Sequence, residues 1–185
     1  MQIIKIRRIC RTETLEAIAK RVSIRKYKAD QISEENLQII LKAGMSAPVA
    51  SGAYDSLHIT VCQDMKLLDQ IGEAVTDMVE KMLGKRMDKN FGAPTMIIVS
   101  SKPGMMPGIE MANAGTVLEN MAIAATSLGI DNIIWGGVTA VANQNEELKK
   151  KLEIPEGFKP TLAISLGFAE KQEAPKEHVI SVNRI

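Results

Sequence analysis

Residues 109–128 have the pattern of a helix that is apolar around nearly its whole circumference. Its apolar and small positions are Ala112, Ala114, Val117, Leu118, Met121, Ala122, Ala124 and Ala125. A helix without a polar face belongs at the centre of a protein or in a tight dimer interface, and its small residues permit close approach. Gly129 follows the pattern and predicts its end.

The rest of the chain alternates between helical and strand patterns. We predict helices over 12–20, 33–42 and 145–152 and from Asp64 onward, and strands over 57–62, 95–99, 133–135 and 161–166. Ser33 and Gly44 suit the start and the stop of the second helix. The strand at 95–99 is apolar throughout, which indicates that both of its faces are covered. The sequence therefore predicts one α+β domain, residues 1–185, with a sheet wrapped by helices.

Length and composition narrow the function classes. A chain of 185 residues suits a single domain with a proper core. The net charge is +1 and only 3% of the residues are aromatic, so neither a global positive field nor base-stacking platforms are present. We therefore expect no nucleic-acid partner.

Cysteine usage and the N-terminus bear on metals and location. The chain has two cysteines, Cys10 and Cys62, without CxxC spacing, and only two histidines, so a structural zinc site or an iron–sulfur cluster lacks ligands. The apolar run at 1–8 is too short and too interrupted for a signal peptide. Charged residues interrupt the longest apolar stretch, 117–134, so it does not span a bilayer. We expect a cytoplasmic protein without metal or membrane partner.

A basic segment follows the first helix. Arg21, Ser23 and Arg25 are at alternate positions, and an extended chain directs alternate side chains to one side. Guanidinium groups present forks of donors that match phosphate oxygens, and a hydroxyl adds another donor. The segment therefore predicts a small anion cradle. An ordinary solvated basic surface is the other interpretation of such a run.

Two glycines follow the strand that ends at Trp135. Glycine lacks the Cβ that restricts the backbone, so Gly136 and Gly137 predict a tight turn after this strand. His58 is more typical of a partly exposed structural residue than of a catalytic one.

Four segments together resemble the FMN-dependent nitroreductase family. The pattern Arg-x-Ser-x-Arg-x-Tyr at 21–27 resembles the family's N-terminal phosphate motif, and 47–52 resembles its Ala-Pro-Ser-Ala-x-Asn segment. Residues 128–137 resemble its Leu-Gly-Leu run, which leads to a glycine beside the flavin. Arg184 stands where relatives place a second phosphate-binding arginine. The order and spacing agree from about residue 15 to the C-terminus, and the set identifies the family better than any single motif.

The resemblance implies an intertwined homodimer with a central mixed or antiparallel sheet and with FMN held at the subunit interface. Arg21, Ser23 and Arg184 would grip the phosphate, with Val22 beside them. Arg25 would lie near the pyrimidine edge of the flavin, where a positive charge favours the anionic reduced form.

The resemblance also assigns the residues around the flavin ring. Gly136 and Gly137 would offer backbone N–H groups to the ring, because without a Cβ the backbone can come close to it. Trp135 either packs against the ring or belongs to the core. The second segment supplies the further cofactor-binding residues Ala47, Pro48, Val49, Ala50 and Gly52, of which Pro48, Val49 and Ala50 would flank the ring from the partner chain.

The chain departs from the family pattern in the second segment. Gly52 replaces the family's asparagine, Val49 replaces a serine, and residues 54–56, Tyr-Asp-Ser, replace Gln-Pro-Trp. An amide contact to the flavin is therefore lost or must come from elsewhere, and the triplet at 54–56 is a first candidate for substrate selectivity. Met105 and Met106 either shape an open pocket or fill gaps in the core.

The activity that the resemblance implies is an FMN-dependent NAD(P)H oxidoreductase that reduces nitroaromatic, quinone or related small oxidised substrates by a ping-pong mechanism. The flavin supplies the reactivity, so no side chain is assigned as catalytic. The sequence leaves open the choice between NADH and NADPH and the physiological substrate. A flavin-fragmenting or dehalogenating branch of the same fold, a non-catalytic FMN carrier or sensor, and a helical dimer without ligand are the alternatives.

Overall fold

The structure, a computed structural model, describes residues 13–84, 86, 92–104 and 106–185. The elements in chain order are α1 (Glu13–Lys20), α2 (Glu34–Met45), β1 (Leu57–Cys62), α3 (Met65–Leu83), β2 (Thr95–Ser101), α4 (Ile109–Ser127), β3 (Asp131–Trp135), α5 (Gly137–Gln144), α6 (Glu146–Lys151) and β4 (Lys159–Gly167). Two short 3-10 turns, Ala50–Gly52 and Tyr54–Ser56, connect α2 to β1. The interpretations of residues 1–8, Cys10, Thr12 and Met105 concern positions outside the described residues.

The four strands form one antiparallel sheet in the order β1-β2-β4-β3. In its centre, Ile97 of β2 lies opposite Ile164 of β4, and the register shifts between Val99 and Ser100. Of the two sheet types that the family resemblance allowed, the structure has the antiparallel one. The edges of this sheet are β1 and β3, and β3 is the edge that borders the basic segment described below.

Helices cover both faces of the sheet. On one face, Ile97 and Val99 of β2 pack with α2 and α4, while on the other face Met96 and Ile98 pack with α3, α5 and α6. All seven residues of β2 are buried, which confirms that both faces of this strand are covered. Leu118 of α4 is completely buried in the main core, which confirms the central of the two positions expected for this helix, whereas Ala112 on the same helix is exposed. None of the described helices combines the length and the apolarity that crossing a lipid bilayer requires.

One local prediction about a helix is wrong, and one helix was missed. Ser33 caps α2 by accepting a hydrogen bond from the backbone N–H of Asn36, as expected, but α2 runs past Gly44 to Met45. A Cβ at Gly44 would collide with the side chain of Met121, so this glycine permits close helix packing rather than ending the helix. Helix α5 was not predicted, because its eight residues are rich in valine and threonine and begin with a glycine.

Met121 lies where α4 meets α2 and is completely buried. Met121→Ala should lower the free energy of unfolding by about 2–5 kcal/mol, because the lost contacts leave a cavity. Met65→Ala is the control, since Met65 is 45% exposed at the start of α3 and its loss should cost less than about 0.5 kcal/mol. Urea denaturation of both variants measures the difference. Equal losses in the two variants would contradict the central position of α4.

Candidate functional site

The basic segment lies in extended form beside β3. The backbone N–H of Ile24 donates to the carbonyl oxygen of Asn132 at 3.1 Å, and Ser23 forms a parallel bridge with Asn132. Ile24 is 1% exposed and points into a small cluster of apolar side chains. The alternation therefore turns Arg21, Ser23 and Arg25 to the other side, where all three line one cavity.

Asn132 ties this segment to the central helix. Its side-chain Nδ2 donates to the carbonyl oxygen of Ala122 at 3.2 Å and to Oγ1 of Thr126 at 3.1 Å, both on α4. Asn132 is 1% exposed, so these hydrogen bonds connect β3, the basic segment and α4 in the interior of the protein. Sequence analysis missed this residue, although an asparagine within an apolar strand was a usable signal.

Tyr27 fixes the far end of the segment. It forms an antiparallel bridge with Ala169, and the N–H of Lys28 donates to the carbonyl oxygen of Phe168 at 2.8 Å. The tyrosine is 4% exposed, and burial, reinforced by Asp131, raises the pKa of its phenol far above the usual value. The hydroxyl is therefore neutral at all physiological pH values, and the ring acts as a structural anchor.

The cavity beside the segment has a volume of about 640 Å³. Besides Ile18 and Ala19 of α1, its lining consists of Arg21, Val22, Ser23, Arg25, Glu173, Ala174, Pro175, Lys176 and His178. Three cationic side chains thus face one carboxylate. Within the described part of the chain, neither Arg21 nor Arg25 forms an ion pair with a carboxylate, and Arg25 donates only to the carbonyl oxygen of Ser23, at 3.2 Å. A positive, donor-rich cavity of this size suits a phosphate group.

The C-terminal tail, residues 170–185, supplies five of the eleven residues of this lining. It is tied to β3 where it begins, because Oδ2 of Asp131 accepts from the N–H of Ala169 at 2.8 Å and from Nε2 of Gln172 at 3.1 Å. Lys176 and His178 were not predicted as site residues, since the tail has no regular structure from which a position could be inferred. Arg184, which was predicted, is exposed and does not line the cavity with Arg21.

The two glycines after β3 differ in their surroundings. Gly136 is exposed with a φ of −99°, and a Cβ built on it would meet nothing within 4 Å. A Cβ on Gly137 would lie 3.0 Å from Cγ1 of Val75 and 3.5 Å from Cε3 of Trp135, so packing within the chain already favours glycine there. The backbone beside Gly136 is therefore the one that is open to a ligand.

Trp135 is held by the sheet. Its Nε1–H donates to Oγ of Ser165 on β4 at 3.1 Å, and its ring packs between two of the apolar clusters. This geometry favours the core interpretation of Trp135.

His58 packs edge-on against Phe158, with ring centroids 5.8 Å apart, which agrees with a structural histidine. Met106 is 61% exposed and fills no gap in the core.

Segment 47–52 lies at the opposite end of α4. The N–H of Ala50 donates to Oδ1 of Asn113 at 3.0 Å, and Oγ1 of Thr116 is 3.1 Å from the carbonyl oxygen of Pro48. Gly52 has a φ of +64°, so its replacement of the family's asparagine also suits a left-handed turn. Pro48, Ala50 and Gly52 retain exposed surface, and Val49 is 8% exposed.

The side chain of Ala47 faces the interior. It is completely buried in the main core and shares that core with Leu37 and Ile40 of α2. The cofactor-binding role of Ala47 stays a prediction, and within this chain its side chain anchors the segment to the core.

Within a single chain, the two predicted halves of the site, the basic segment and segment 47–52, lie at different ends of α4. The basic segment reaches α4 at Ala122 through Asn132, whereas segment 47–52 reaches it at Asn113. Nine residues separate these two contacts, which corresponds to about 14 Å along a helix that rises about 1.5 Å per residue. No residue of segment 47–52 lines the cavity of Arg21.

Comparison with known proteins decides the family. The model of the Nitroreductase family matches residues 18–168, which include the basic segment, segment 47–52 and both glycines after β3. The chain belongs to the nitroreductase family. The tail that lines part of the cavity lies beyond the residues that the nitroreductase model matches.

Relatives and solved structures agree with this assignment. A protein of Archaeoglobus fulgidus, provisionally named NADH dehydrogenase/NAD(P)H nitroreductase, is 32% identical over 162 residues, which are 87% of this chain and 88% of that protein. A nitroreductase with bound FMN from Desulfitobacterium hafniense is similar with a TM-score of 0.81 and 28% identity, and the match covers 95% of this chain and 99% of the other. A nitroreductase with bound FMN from Bacteroides fragilis gives a TM-score of 0.80 and 27% identity, covering 95% and 98%. The predicted nitroreductase fold is confirmed.

Proposed function

We propose that this nitroreductase-family chain is an FMN-dependent NAD(P)H oxidoreductase that acts as a homodimer. The observation that carries the proposal is the cavity of Arg21, Ser23 and Arg25, whose two arginines form no ion pair among the described residues and lie where the phosphate motif was predicted. Two similar solved structures hold FMN, and a relative has a name that includes NAD(P)H nitroreductase. Family membership and the cationic donors of the cavity thus indicate the same cofactor, FMN.

The phosphate group would be bound in this cavity. Arg21 and Arg25 supply guanidinium donors, Ser23 supplies a hydroxyl, and Lys176 adds a cation from the tail. Each charge-assisted contact of this kind contributes about 1.5–3 kcal/mol. Arg184 remains a proposed phosphate-binding residue. To bring its side chain to the phosphate, the exposed tail would have to become ordered around the cofactor.

The flavin ring would extend from the cavity toward the start of α5. The first N–H groups of a helix lack partners within that helix, and Gly136 leaves the space before them open. Backbone N–H groups of Gly136 and Gly137 would therefore donate to the polar edge of the ring. Val22 and Trp135 would bound the same region, because both pack in the cluster beside β3.

A second copy of the chain would complete the site. Since one chain holds its basic segment and its segment 47–52 at different ends of α4, Pro48, Val49 and Ala50 would reach the flavin of the partner. Apolar tail residues support this proposal, because Val179, Ile180 and Val182 are 81%, 85% and 68% exposed in the single chain. Such surface is typical of a segment that another chain covers.

Bound FMN would supply hydride-transfer chemistry between NAD(P)H and a nitroaromatic, quinone or related oxidised acceptor, in two separate half-reactions. The residues of this chain would bind the phosphate, orient the ring and shape the space above it. Arg25 would place a positive charge beside the ring, where such a charge favours the negatively charged reduced form. No side chain is assigned as a catalytic acid or base.

Turnover of the purified protein tests the proposal. NADH and NADPH are supplied in turn with a nitroaromatic and with a quinone, and oxidation of the nucleotide is followed by absorbance. We expect ping-pong kinetics, in which double-reciprocal plots at several acceptor concentrations are parallel. Bound FMN without turnover with either nucleotide would indicate a carrier or sensor, and cleavage of the flavin would indicate the fragmenting branch.

We also propose that residues 1–185 form one nitroreductase-like domain and that the protein is cytoplasmic. The first proposal is supported by the tail, whose Lys176 lines the same cavity as Arg21 near the other end of the chain. The second is supported by Cys62, which is a free thiol, and by the small number of cysteines.

A further inference from the structure

Segment 47–50 has no polar side chain of its own. Its residues are alanine, proline, valine and alanine, and the family's asparagine that follows is Gly52 in this chain. The segment therefore cannot fix its orientation through polar side chains of its own. Any polar contact that positions it has to reach its backbone from a neighbouring element.

Three side chains make such contacts. Oδ1 of Asn113 accepts from the N–H of Ala50 at 3.0 Å, and the hydroxyl of Tyr54 donates to the carbonyl oxygen of Ala47 at 3.1 Å. Oγ1 of Thr116 is 3.1 Å from the carbonyl oxygen of Pro48 but 2.8 Å from that of Asn113. Because one hydroxyl proton serves both acceptors of Thr116, this third contact is shared.

Asn113 is the buried member of this group. It is 8% exposed, whereas Tyr54 is 52% exposed and Thr116 is exposed. An amide on a rigid helix fixes the position of its partner more closely than a side chain on a turn. Immediately after the anchored N–H, Ser51 has a φ of +56°, a left-handed conformation that a serine adopts only where the surroundings impose it.

We infer that Asn113 is a positioning residue that holds segment 47–50 in place, with Tyr54 as a second anchor. The inference rests on the proposed function, in which this segment borders the flavin ring of the partner and shapes the space for the acceptor. The amide of Asn113 acts from α4 on the backbone of the segment, which differs from the flavin contact that the sequence lacks at Gly52. Loss of the anchor would let the segment move and would weaken binding of the acceptor.

The test compares Asn113→Ala with Asn120→Ala. Asn120 lies on the same helix and donates through Nδ2 to the carbonyl oxygen of Ala43 at 3.2 Å, so its loss also removes one contact between an amide and another element's backbone. For Asn113→Ala in the FMN-loaded protein, we expect a KM for a quinone acceptor that is roughly 10-fold higher, with FMN retained, because misplaced binding groups weaken binding while the phosphate cavity is untouched. Asn120→Ala should stay within about twofold of the wild type.

Hydrogen exchange provides a second readout. The amide of Ala50 should exchange faster in Asn113→Ala than in Asn120→Ala, whether or not FMN binds. If the wild type holds no FMN, the proposed function fails, while this exchange measurement still decides whether Asn113 anchors the segment. Equal KM values in the two variants of a flavin-loaded protein, or unchanged exchange at Ala50, would overturn the inference.

Tyr54→Phe covers the case in which Asn113→Ala does not fold. This change removes one half-exposed hydroxyl and keeps the ring, so the fold is preserved. We expect the KM for the acceptor to rise by roughly threefold, since the buried anchor remains. If Asn113→Ala does not fold and the Tyr54→Phe variant has the same KM for the acceptor as the wild type, the inference is overturned as well.

Discussion

Arg21→Ala is expected to purify largely without FMN. Arg21 lines the cavity at the start of the basic segment and forms no ion pair within the described residues, so its guanidinium is available for phosphate. Loss of one charge-assisted contact costs about 1.5–3 kcal/mol, which corresponds to a dissociation constant that rises by roughly 10- to 150-fold. The flavin absorbance of the purified protein and a titration of the apoprotein with FMN measure this change.

Lys20→Ala is the matched control for the loss of positive charge. Lys20 is the preceding residue, its side chain is 72% exposed, and its ammonium lies 3.9 Å from a carboxylate oxygen of Glu16. It does not line the cavity, so the dissociation constant for FMN should change by less than about threefold, as is typical of exposed charges. An Arg21→Ala protein that keeps the flavin content of the wild type would refute the assignment of this cavity to phosphate.

Gly136→Leu should abolish FMN binding without destabilising the apoprotein. The φ of −99° suits any residue, and a Cβ at this position meets nothing within 4 Å in the single chain. The leucine would instead fill the space before α5, where the ring is proposed to lie. A loss of at least about 3 kcal/mol of binding free energy, or more than 100-fold in the dissociation constant, is expected from this exclusion.

Gly137→Ala provides the contrasting variant. Its Cβ would lie 3.0 Å from Cγ1 of Val75, so this change should lower the unfolding temperature of the apoprotein even before FMN is added. Thermal unfolding and FMN titration of both variants separate the two effects. A Gly136→Leu protein that binds FMN as tightly as the wild type would show that the ring lies elsewhere.

Patterns with a regular period predicted much of the fold. The apolar circumference of α4 placed it at the centre, and the uninterrupted apolar run of β2 predicted burial on both faces. The alternation of Arg21, Ser23 and Arg25 predicted a common direction, because in an extended chain side-chain direction follows from position alone. Each of these features depends on local geometry, which a sequence encodes directly.

Features that depend on contacts between distant residues could not be predicted. Asn113 and Asn132 are polar residues in apolar elements. Asn113 meets Ala50, which is 63 residues away in the chain, and the carbonyl oxygen of Asn132 accepts from Ile24 of the remote basic segment. The position of Lys176 depends on the course of a tail without regular structure. Gly44 matched a helix stop in sequence, but its reason is the close approach of Met121 from another helix.

A mixed dimer tests most directly whether the cofactor site is shared between two chains. One chain carries Arg21→Ala, which damages the phosphate cavity, and the other carries Ala50→Arg, which obstructs the segment proposed to face the ring. Each variant alone should be colourless as a homodimer. The two chains are produced together with different affinity tags, and the mixed dimer is isolated by purification on both.

In the mixed dimer, the intact cavity of the second chain faces the intact segment 47–50 of the first. We therefore predict that the mixed dimer binds one FMN, with the flavin absorbance and the NAD(P)H turnover of a single site. A mixed dimer that stays colourless when FMN is added would contradict a site built from two chains.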